Sequence, residues 1–308
     1  MITKNHLRSH FFIFLANTIV GITYLLAKEV IPNNISAEAF FFLRILGATI
    51  LFWSIYVFKK EKIDKRDYLR IFFCGLLGVT ISKLAFFKGL EHTSPIDSSI
   101  ISTLTPVAIL FFSYFLLKEK MGILKILGII LGFGGTIVLI LFGDHESAGS
   151  ASIYGNLLTL LKVLSYAAYI ILAKPLMQKY HHITVISWVF LVALITSIPF
   201  SYSFVLKTDL TLITPFALFV ILYVTVGSTF LVYLFNLYSL KHLPASIIGS
   251  YIYLQPVVTY IAIEIYEAFT HSPKYTEDLS PLKIISCIMI FVGIFLVSKK
   301  KKKAKIID

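Results

Sequence analysis

Residues 90–107 read LEHTSPIDSSIISTLTPV, and residues 240–257 read LKHLPASIIGSYIYLQPV. The two stretches match at a constant offset of 150 residues without a gap. The matched residues are Leu90, His92, Leu104, Pro106 and Val107, which recur as Leu240, His242, Leu254, Pro256 and Val257. Self-similarity at a fixed spacing is the signature of an internal repeat. The sequence therefore predicts a chain built from two copies of one unit.

Further matches extend the repeat in both directions from these stretches. Ala27-Lys28 corresponds to Ala173-Lys174, while Gly128 and Gly135 correspond to Ser286 and Gly293. The last match needs an offset of 158, so the second copy is eight residues longer. We place the additional residues in the polar segment 270–280, which we predict to be a loop.

The composition places the chain in a membrane. Of its 308 residues, 57% are hydrophobic and only 14% are charged, and its mean hydropathy is +0.86. Soluble domains contain about 25% charged residues. These values exclude a soluble enzyme and indicate a polytopic membrane protein.

Long apolar runs then give the number of membrane spans. The first unit, 11–142, contains runs at 11–27, 39–58, 68–88, 95–117 and 122–142, and the second unit, 153–298, contains runs at 153–173, 184–205, 215–238, 245–267 and 281–298. A crossing needs about 20 apolar residues, and only helices satisfy the backbone hydrogen bonds of runs this long in lipid. We predict an all-α protein with ten transmembrane helices.

The odd number of spans in each unit determines the relative orientation of the two units in the membrane. Each unit has five spans, so the second unit must enter the membrane from the opposite face. Two inverted-topology repeats around a site near the midplane are a construction that many secondary transporters use. The repeat therefore favours transport of a small-molecule substrate.

The distribution of Lys and Arg predicts the orientation, because cytoplasmic segments hold the excess of these residues. With the N-terminus inside, the inner segments hold 20 of the 28 Lys and Arg residues and the outer segments hold five. We predict a multi-pass protein of the inner or plasma membrane with both termini in the cytoplasm and the first span retained as an anchor. The formal charge of +12 thus reflects loops and the basic tail 299–308, which we interpret as an anchor on anionic lipid rather than a nucleic-acid site.

One set of residues resembles a known family. The spacing Leu104-x-Pro106-x12-Glu119, then Gly128 and Gly135, and in the second unit Leu254-Gln255-Pro256-Val257 followed by Gly293, is similar to the EamA type of the drug/metabolite transporter superfamily. The resemblance covers residues 11–298. It implies a ten-helix exporter or importer of small metabolites in which the fifth and tenth helices close a pseudo-symmetric bundle. The counterpart of Glu119 is Phe269, and we interpret Glu119 as a structural charge.

Two prolines mark candidate kinks near the midplane. Pro106 and Pro256 each lie eleven residues into their spans, roughly 16 Å deep. A proline frees the carbonyl four residues earlier, here Ser102 and Ile252. The break serves either packing alone or the lining of a cavity. Polar residues on the same helical faces, Ser98, Ser102 and Thr105 in one unit and Tyr251 and Gln255 in the other, favour the second interpretation.

Ionisable residues inside spans are costly and mark functional sites by default. Lys162 lies near the midplane, with Tyr166 and Tyr169 on its helical face. Lys83 and Arg44 lie in the outer part of the membrane, where Asp97 and Glu264 are candidates to form buried ion pairs with them. The structural alternatives are snorkelling and ion pairing without a role in binding.

The substrate class follows from the signs of these charges. No carboxylate lies near the midplane of a predicted span, which argues against exchange of protons for lipophilic cations. Lys162 and Lys83 instead favour a carboxylate or phosphate, such as an amino acid or a related anionic metabolite. We predict a substrate site lined by Lys162, Tyr166, Tyr251, Gln255, Lys83, Thr105 and Ser102.

Other functions lack the residues that they need. The sequence shows no nucleotide-binding motif, no metal-ligand spacing, no cofactor motif and no catalytic constellation. The alternatives are efflux of a drug or another metabolite by the same fold, and a membrane scaffold that transports nothing. The sequence does not distinguish a monomer from a homodimer.

Overall fold

A computed structural model describes residues 4–59, 61–118, 122–142, 152–208, 213–240, 242–243, 245–271, 275 and 280–298. These residues form helices and short connections, and none of them lies in a β-strand. Glu119, most of the predicted loop 270–280 and the basic tail 299–308 fall outside the described residues.

The bundle consists of ten apolar helices, in agreement with the predicted fold class. Their bounds are α1 (Asn5–Val30), α2 (Ala37–Lys59), α3 (Lys65–Glu91), α4 (Pro95–Leu116), α5 (Ile123–Phe142), α6 (Ile153–Lys179), α7 (His182–Lys207), α8 (Pro215–Ser239), α9 (Ile247–Thr270) and α10 (Pro281–Val297). In the described part of the chain, the first nine are long enough to cross a membrane and α10 is slightly shorter. Several helices extend past the predicted apolar runs because they continue into polar ends, as α6 does up to Lys179.

Hydroxyl side chains begin five of the helices in the described residues. Ser36, Ser94, Ser152, Thr214 and Ser280 each accept a hydrogen bond from the backbone N–H three residues later, at 3.0–3.4 Å. Such caps satisfy donors that the first helical turn leaves unpaired. Proline occupies the first helical position of α4 and α8, where its missing N–H has no cost.

Helix packing follows the predicted repeat. From the first unit, α1 packs against α8 and α9, and α2 packs against α8, all in the second unit. From the second unit, α6 packs against α3 and α4, and α7 packs against α3, all in the first unit. Exchanging α1 with α6, α2 with α7, α3 with α8 and α4 with α9 converts one set of contacts into the other. The two five-helix units are therefore related by a pseudo-twofold axis, with α2 against α7 and α5 against α10 as the self-matching contacts.

Glycines bring α5 and α10 into backbone contact. A Cβ atom added at Gly128 would lie 2.5 Å from the carbonyl oxygen of Gly293, and one added at Gly293 would lie 2.7 Å from the amide nitrogen of Gly132. Small residues let helices approach this closely in lipid. Residues Gly128, Gly132 and Gly293 thus form a closely packed contact between the two units, which we call the α5–α10 seam.

Four helices contain an irregular turn, at matching places in the two units. A π-helical stretch occupies Leu76–Ile81 in α3 and Tyr223–Leu231 in α8. The α-helical hydrogen bonding of α4 is interrupted at residues 103–104, and a short 3-10 turn, Tyr251–Tyr253, occupies the equivalent place before α9 continues. Each of the latter breaks lies two or three residues before a proline, Pro106 or Pro256.

Because an even number of antiparallel helices crosses the bundle, α1 begins and α10 ends on the same side. We call this side the terminal side and the opposite one the distal side. The second half of α3 and the first halves of α2, α4 and α6 therefore lie on the distal side of the midplane, and they carry the polar residues described next.

Candidate functional site

The amine of Lys162 lies between α6 and three other helices, α1, α3 and α4. Its Nζ donates a hydrogen bond of 2.6 Å to Oγ of Ser102 on α4. The same Nζ lies 5.3 Å from the ring centre of Phe86 on α3 and 5.8 Å from that of Tyr24 on α1. The side chain is half-buried in this position. The structure thus brings Lys162 and Ser102, two of the predicted site residues, into direct contact.

At the break in α4, nearby hydroxyl side chains donate hydrogen bonds to backbone carbonyls. Oγ of Ser102 donates 2.6 Å to the carbonyl of Ser98, and Oγ1 of Thr105 donates 2.6 Å to the carbonyl of Ser102. The second bond fills the acceptor that Pro106 leaves without its helical N–H partner. Thr105 therefore stabilises the break, while Ser102 offers its hydroxyl oxygen to Lys162.

A chain of hydrogen bonds continues from this point into the second unit. The Tyr24 hydroxyl donates 3.2 Å to Oε1 of Gln255, whose Nε2 donates 2.9 Å to Oδ1 of Asn17. Gln255 therefore lies in the same polar layer as Lys162. Tyr251 does not, because its hydroxyl lies 2.9 Å from Nδ1 of His10, about two helical turns of α1 closer to the terminal side than Asn17.

Lys83 and Arg44 complete a group of three cations. Nζ of Lys83 lies 5.0 Å from the ring centre of Tyr166, and Lys83 is within electrostatic range of both Arg44 and Lys162. Nε of Arg44 donates 2.6 Å to Oγ1 of Thr229 in the π-helical stretch of α8. Cζ of Arg44 lies 5.3 Å from the ring centre of Phe87.

None of these three cations forms an ion pair with a carboxylate of the described residues. Oδ1 of Asp97, a predicted partner of Arg44 or Lys83, instead lies 2.9 Å from Nζ of Lys283 on α10, and both side chains are fully buried. Glu264 is exposed and interacts with Tyr260, one turn earlier on α9. The predicted pairing fails because Asp97 faces α6 and α10, whereas Arg44 faces α8.

Buried polar groups close the distal side of the bundle. Nδ2 of Asn156 lies 3.4 Å from Oδ2 of Asp97, and the Asn156 side-chain oxygen accepts a short hydrogen bond from Thr93. Nζ of Lys28 donates to the carbonyls of Leu90 and Glu91 at 2.9 and 3.0 Å. These contacts link α1, α3, α4, α6 and α10 at one level.

Tyrosines extend the distal closure to α9. Both carboxylate oxygens of Glu29 accept hydrogen bonds, from Tyr266 at 2.7 Å and from Tyr275 at 2.6 Å. Burial, reinforced by the Glu29 carboxylate, raises the pKa of Tyr275, so its hydroxyl stays protonated and remains a donor.

The terminal side is held by more exposed contacts. Nζ of Lys179 lies 3.3 Å from Asp64 and 2.7 Å from Asp67, and half of the Lys179 side chain is exposed. On the same side, residues 231–238 of α8 are half-buried on every face of the helix. The two sides of the bundle thus differ in how tightly they are closed.

Several residues of the site were not foreseen from the sequence. They are Asn17, Tyr24, Phe86, Phe87, Thr229 and Lys283. For Lys283 a signal existed, since Lys283 and Asp97 are each the third residue of their predicted spans and should meet at the same depth. The aromatic residues gave no signal, because 15% of the chain is aromatic. No group of three or more metal-ligating side chains occurs in the part that the structure describes.

Comparison with known proteins assigns the fold to a family. The model of the EamA-like transporter family matches residues 7–141 and again residues 153–299. An uncharacterized transporter of Archaeoglobus fulgidus is 24% identical over 274 residues, which cover 89% of this chain and 90% of the relative. The uncharacterized transporter YetK of Bacillus subtilis is 24% identical over 98% of this chain and 90% of its own length.

Two more distant likenesses agree with this result. A WAT1-related protein of Arabidopsis thaliana is 30% identical over 53% of this chain and 52% of its own length. A solved structure titled "Crystal structure of protein" superimposes with a TM-score of 0.58 at 15% identity, covering 95% of both chains. The structural likeness concerns the fold alone.

Proposed function

The chain belongs to the EamA-like transporter family, and from this premise we propose that it is a secondary transporter of small polar metabolites, namely amino acids or related carboxylates and other anionic metabolites. The family match extends over both repeats, and relatives of nearly full length are named transporters. The sequence resemblance to this family is therefore confirmed, as are the all-helical fold and the multi-pass membrane character. The substrate class is our proposal.

One observation carries the substrate class. The Lys162 amine lies inside the bundle near the midplane, bonded to Ser102 and flanked by aromatic rings, and it forms no ion pair with any described carboxylate. A charge inside a helix bundle without a counter-ion is costly, and an ionisable group within a membrane span marks a functional site by default. An anionic substrate would supply that charge during each transport cycle.

Transport would proceed by alternating access. The two inverted units would rock about the α5–α10 seam and expose the Lys162 site to one side at a time. We propose that the terminal side faces the cytoplasm and that the membrane is the inner or plasma membrane, because the Lys and Arg excess lies in that side's segments. The driving force would be the substrate gradient, exchange or an ion, with no catalytic step.

The test is counterflow into liposomes that contain the purified protein. The solutes are labelled acidic, neutral and basic amino acids, organic phosphates and one lipophilic cation. We expect saturable exchange of anionic or zwitterionic solutes by the wild type. In Lys162→Ala we expect exchange to fall at least about tenfold, since loss of a buried charge contact costs about 2–5 kcal/mol.

A matched control removes a different lysine from the same helix. Lys174 is exposed near the terminal end of α6, and Lys174→Ala should exchange solutes like the wild type. Elution of each variant as a single folded species from a size-exclusion column separates lost transport from lost folding. Exchange of the lipophilic cation alone would contradict the substrate class and favour drug efflux. Unchanged anion exchange in Lys162→Ala would contradict the site, and no exchange of any solute would favour the scaffold.

A further inference from the structure

Three cations from three helices converge on one turn of α3. Arg44 lies over the ring of Phe87, Lys162 lies over the ring of Phe86, and Lys83 precedes these rings by about one turn. Residues separated by three or four positions share one face of a helix. Phe86 and Phe87 are three and four positions from Lys83, so the cations of α2 and α6 lie on either side of the Lys83 face of α3.

The group has a surplus of positive charge. Arg44 is bonded to a threonine hydroxyl, Lys162 to a serine hydroxyl, and Lys83 lies over a phenol ring. Hydroxyls and rings solvate a cation without neutralising it. Within the described residues no carboxylate pairs with any of the three. Arg44 and Lys162 are each within electrostatic range of Lys83, and like charges repel one another, so the arrangement is stabilised by binding negative charge.

The second unit shows that the scaffold does not need these charges. The residue 150 positions after Lys83 is Tyr233, a neutral, half-buried residue whose ring contacts those of Phe52 and Phe190. The α3–α7 contact corresponds to the α2–α8 contact, and it contains a bond of 2.7 Å between the hydroxyls of Thr80 and Thr196. Neutral side chains thus form the equivalent helix contacts, and the cations serve a purpose besides packing.

Building on the proposed function, we propose that the substrate carries two negative charges, with one anionic group at Lys162 and the other at Arg44 and Lys83. A dicarboxylate and a phosphate ester share this chemistry. An α-amino acid with a free ammonium group would place a fourth positive charge among the three. The site would therefore select dianions over zwitterions of similar size.

Four probes of similar length test this selectivity at pH 7.5 in the same liposomes. Succinate carries two carboxylates, succinamate replaces one of them by a neutral amide, and 4-aminobutyrate replaces it by a protonated aminomethyl group. Glycerol 3-phosphate represents the phosphate esters, whose second ionisation lies near pH 6. Labelled counterflow gives the concentration at which exchange is half-maximal for each probe.

We expect at least one dianion to exchange at a concentration at least about tenfold lower than succinamate, with 4-aminobutyrate weakest. The preferred dianion then distinguishes dicarboxylates from phosphate esters. In Arg44→Gln and in Lys83→Gln the preference for the dianion over succinamate should fall by about tenfold, whereas Arg44→Lys should retain most of it. Lys83→Gln removes no hydrogen bond to protein among the described contacts, so it tests the charge even where Arg44→Gln fails to fold.

The outcomes separate this inference from the function on which it rests. Equal exchange of both dianions and succinamate, still dependent on Lys162, would leave an anion transporter in place and overturn the dianion inference. The same holds where 4-aminobutyrate is preferred. Absence of exchange for every anion here and in the wider panel would overturn the proposed function itself.

Discussion

The distal and terminal sides of this bundle are closed by the same kinds of residue in different surroundings. On the distal side, Asp97 and Lys283 form a fully buried ion pair. On the terminal side, Lys179 pairs with Asp67, but half of the Lys179 side chain is exposed. A buried pair must be desolvated to form and hydrated to separate, whereas an exposed pair remains largely solvated throughout. Separating the distal pair therefore changes the solvation of its two charges more than separating the terminal pair does.

The repeat shows where this difference originates. The residue 150 positions after Asp97 is the exposed Ile247, and the residue 158 positions before Lys283 is Lys125. The terminal side has thus kept the lysine of the pair and has no acid at the matching position. The two sides thus differ by one carboxylate at these matching positions, and the side that has it is the one with a fully buried ion pair.

The largest effect is expected when the distal pair is broken. Lys283→Ala leaves the Asp97 carboxylate buried, and breaking a buried pair in this way costs about 3–5 kcal/mol. We expect a clear fall in the midpoint of thermal unfolding in detergent, followed by circular dichroism. The pair Asp97→Leu with Lys283→Met should recover most of the loss, because it removes both charges while keeping apolar volume. A Lys283→Ala midpoint equal to that of the wild type would show that the distal closure does not depend on the pair.

An intermediate effect is expected at the seam that both sides share. A methyl group at Gly128 would collide with the backbone of α10, and overpacking of this kind costs about 1–3 kcal/mol. Gly134 on the same helix is the matched control, since a Cβ there meets only the Met289 methyl group at 3.8 Å. We expect Gly128→Ala to lower both the unfolding midpoint and the exchange rate. Equal behaviour of Gly128→Ala and Gly134→Ala would contradict a close-packed seam.

The smallest effect is expected at the terminal pair. Lys179→Ala should leave the unfolding midpoint unchanged within the error of the same assay, because exposed ion pairs contribute little to stability. Adding salt should likewise have no effect on the difference between this variant and the wild type. A loss as large as that of Lys283→Ala would remove the contrast between the two sides.

The sequence predicted the fold well because the membrane restricts the choices. Apolar runs of about 20 residues can only be helices there, and an odd number of them in each repeat requires inversion. The helix ends were predicted less well. For α6 the apolar run stops at 173, whereas the helix continues to Lys179, since its polar last turns need no lipid.

The site was predicted only in part, because the sequence indicates the depth of a residue along its span better than the direction in which its helix faces. Depth along a span can be counted from the sequence, so Lys162 and Ser102 were placed at similar levels, and they are in contact. Which face each helix turns to its neighbours depends on packing across the whole bundle. Asp97 was therefore assigned to Arg44 or Lys83, whereas α4 turns it toward α10. Tyr251 was grouped with Gln255 although it lies in a separate layer with His10.

The matching π-helical stretches of α3 and α8 indicate whether they arose before or after the two units were duplicated. Each arises where a helix holds one residue more than regular α-helical winding accommodates, and residues 76–81 correspond to 226–231 within the second stretch. One insertion before gene duplication explains both stretches, whereas insertion after duplication must have happened twice at the same place. We infer that the ancestor was a single five-helix chain that already had the wide turn in its third helix. A living relative with only one repeat should have that turn, and should insert into the membrane in both orientations to form the equivalent of this bundle.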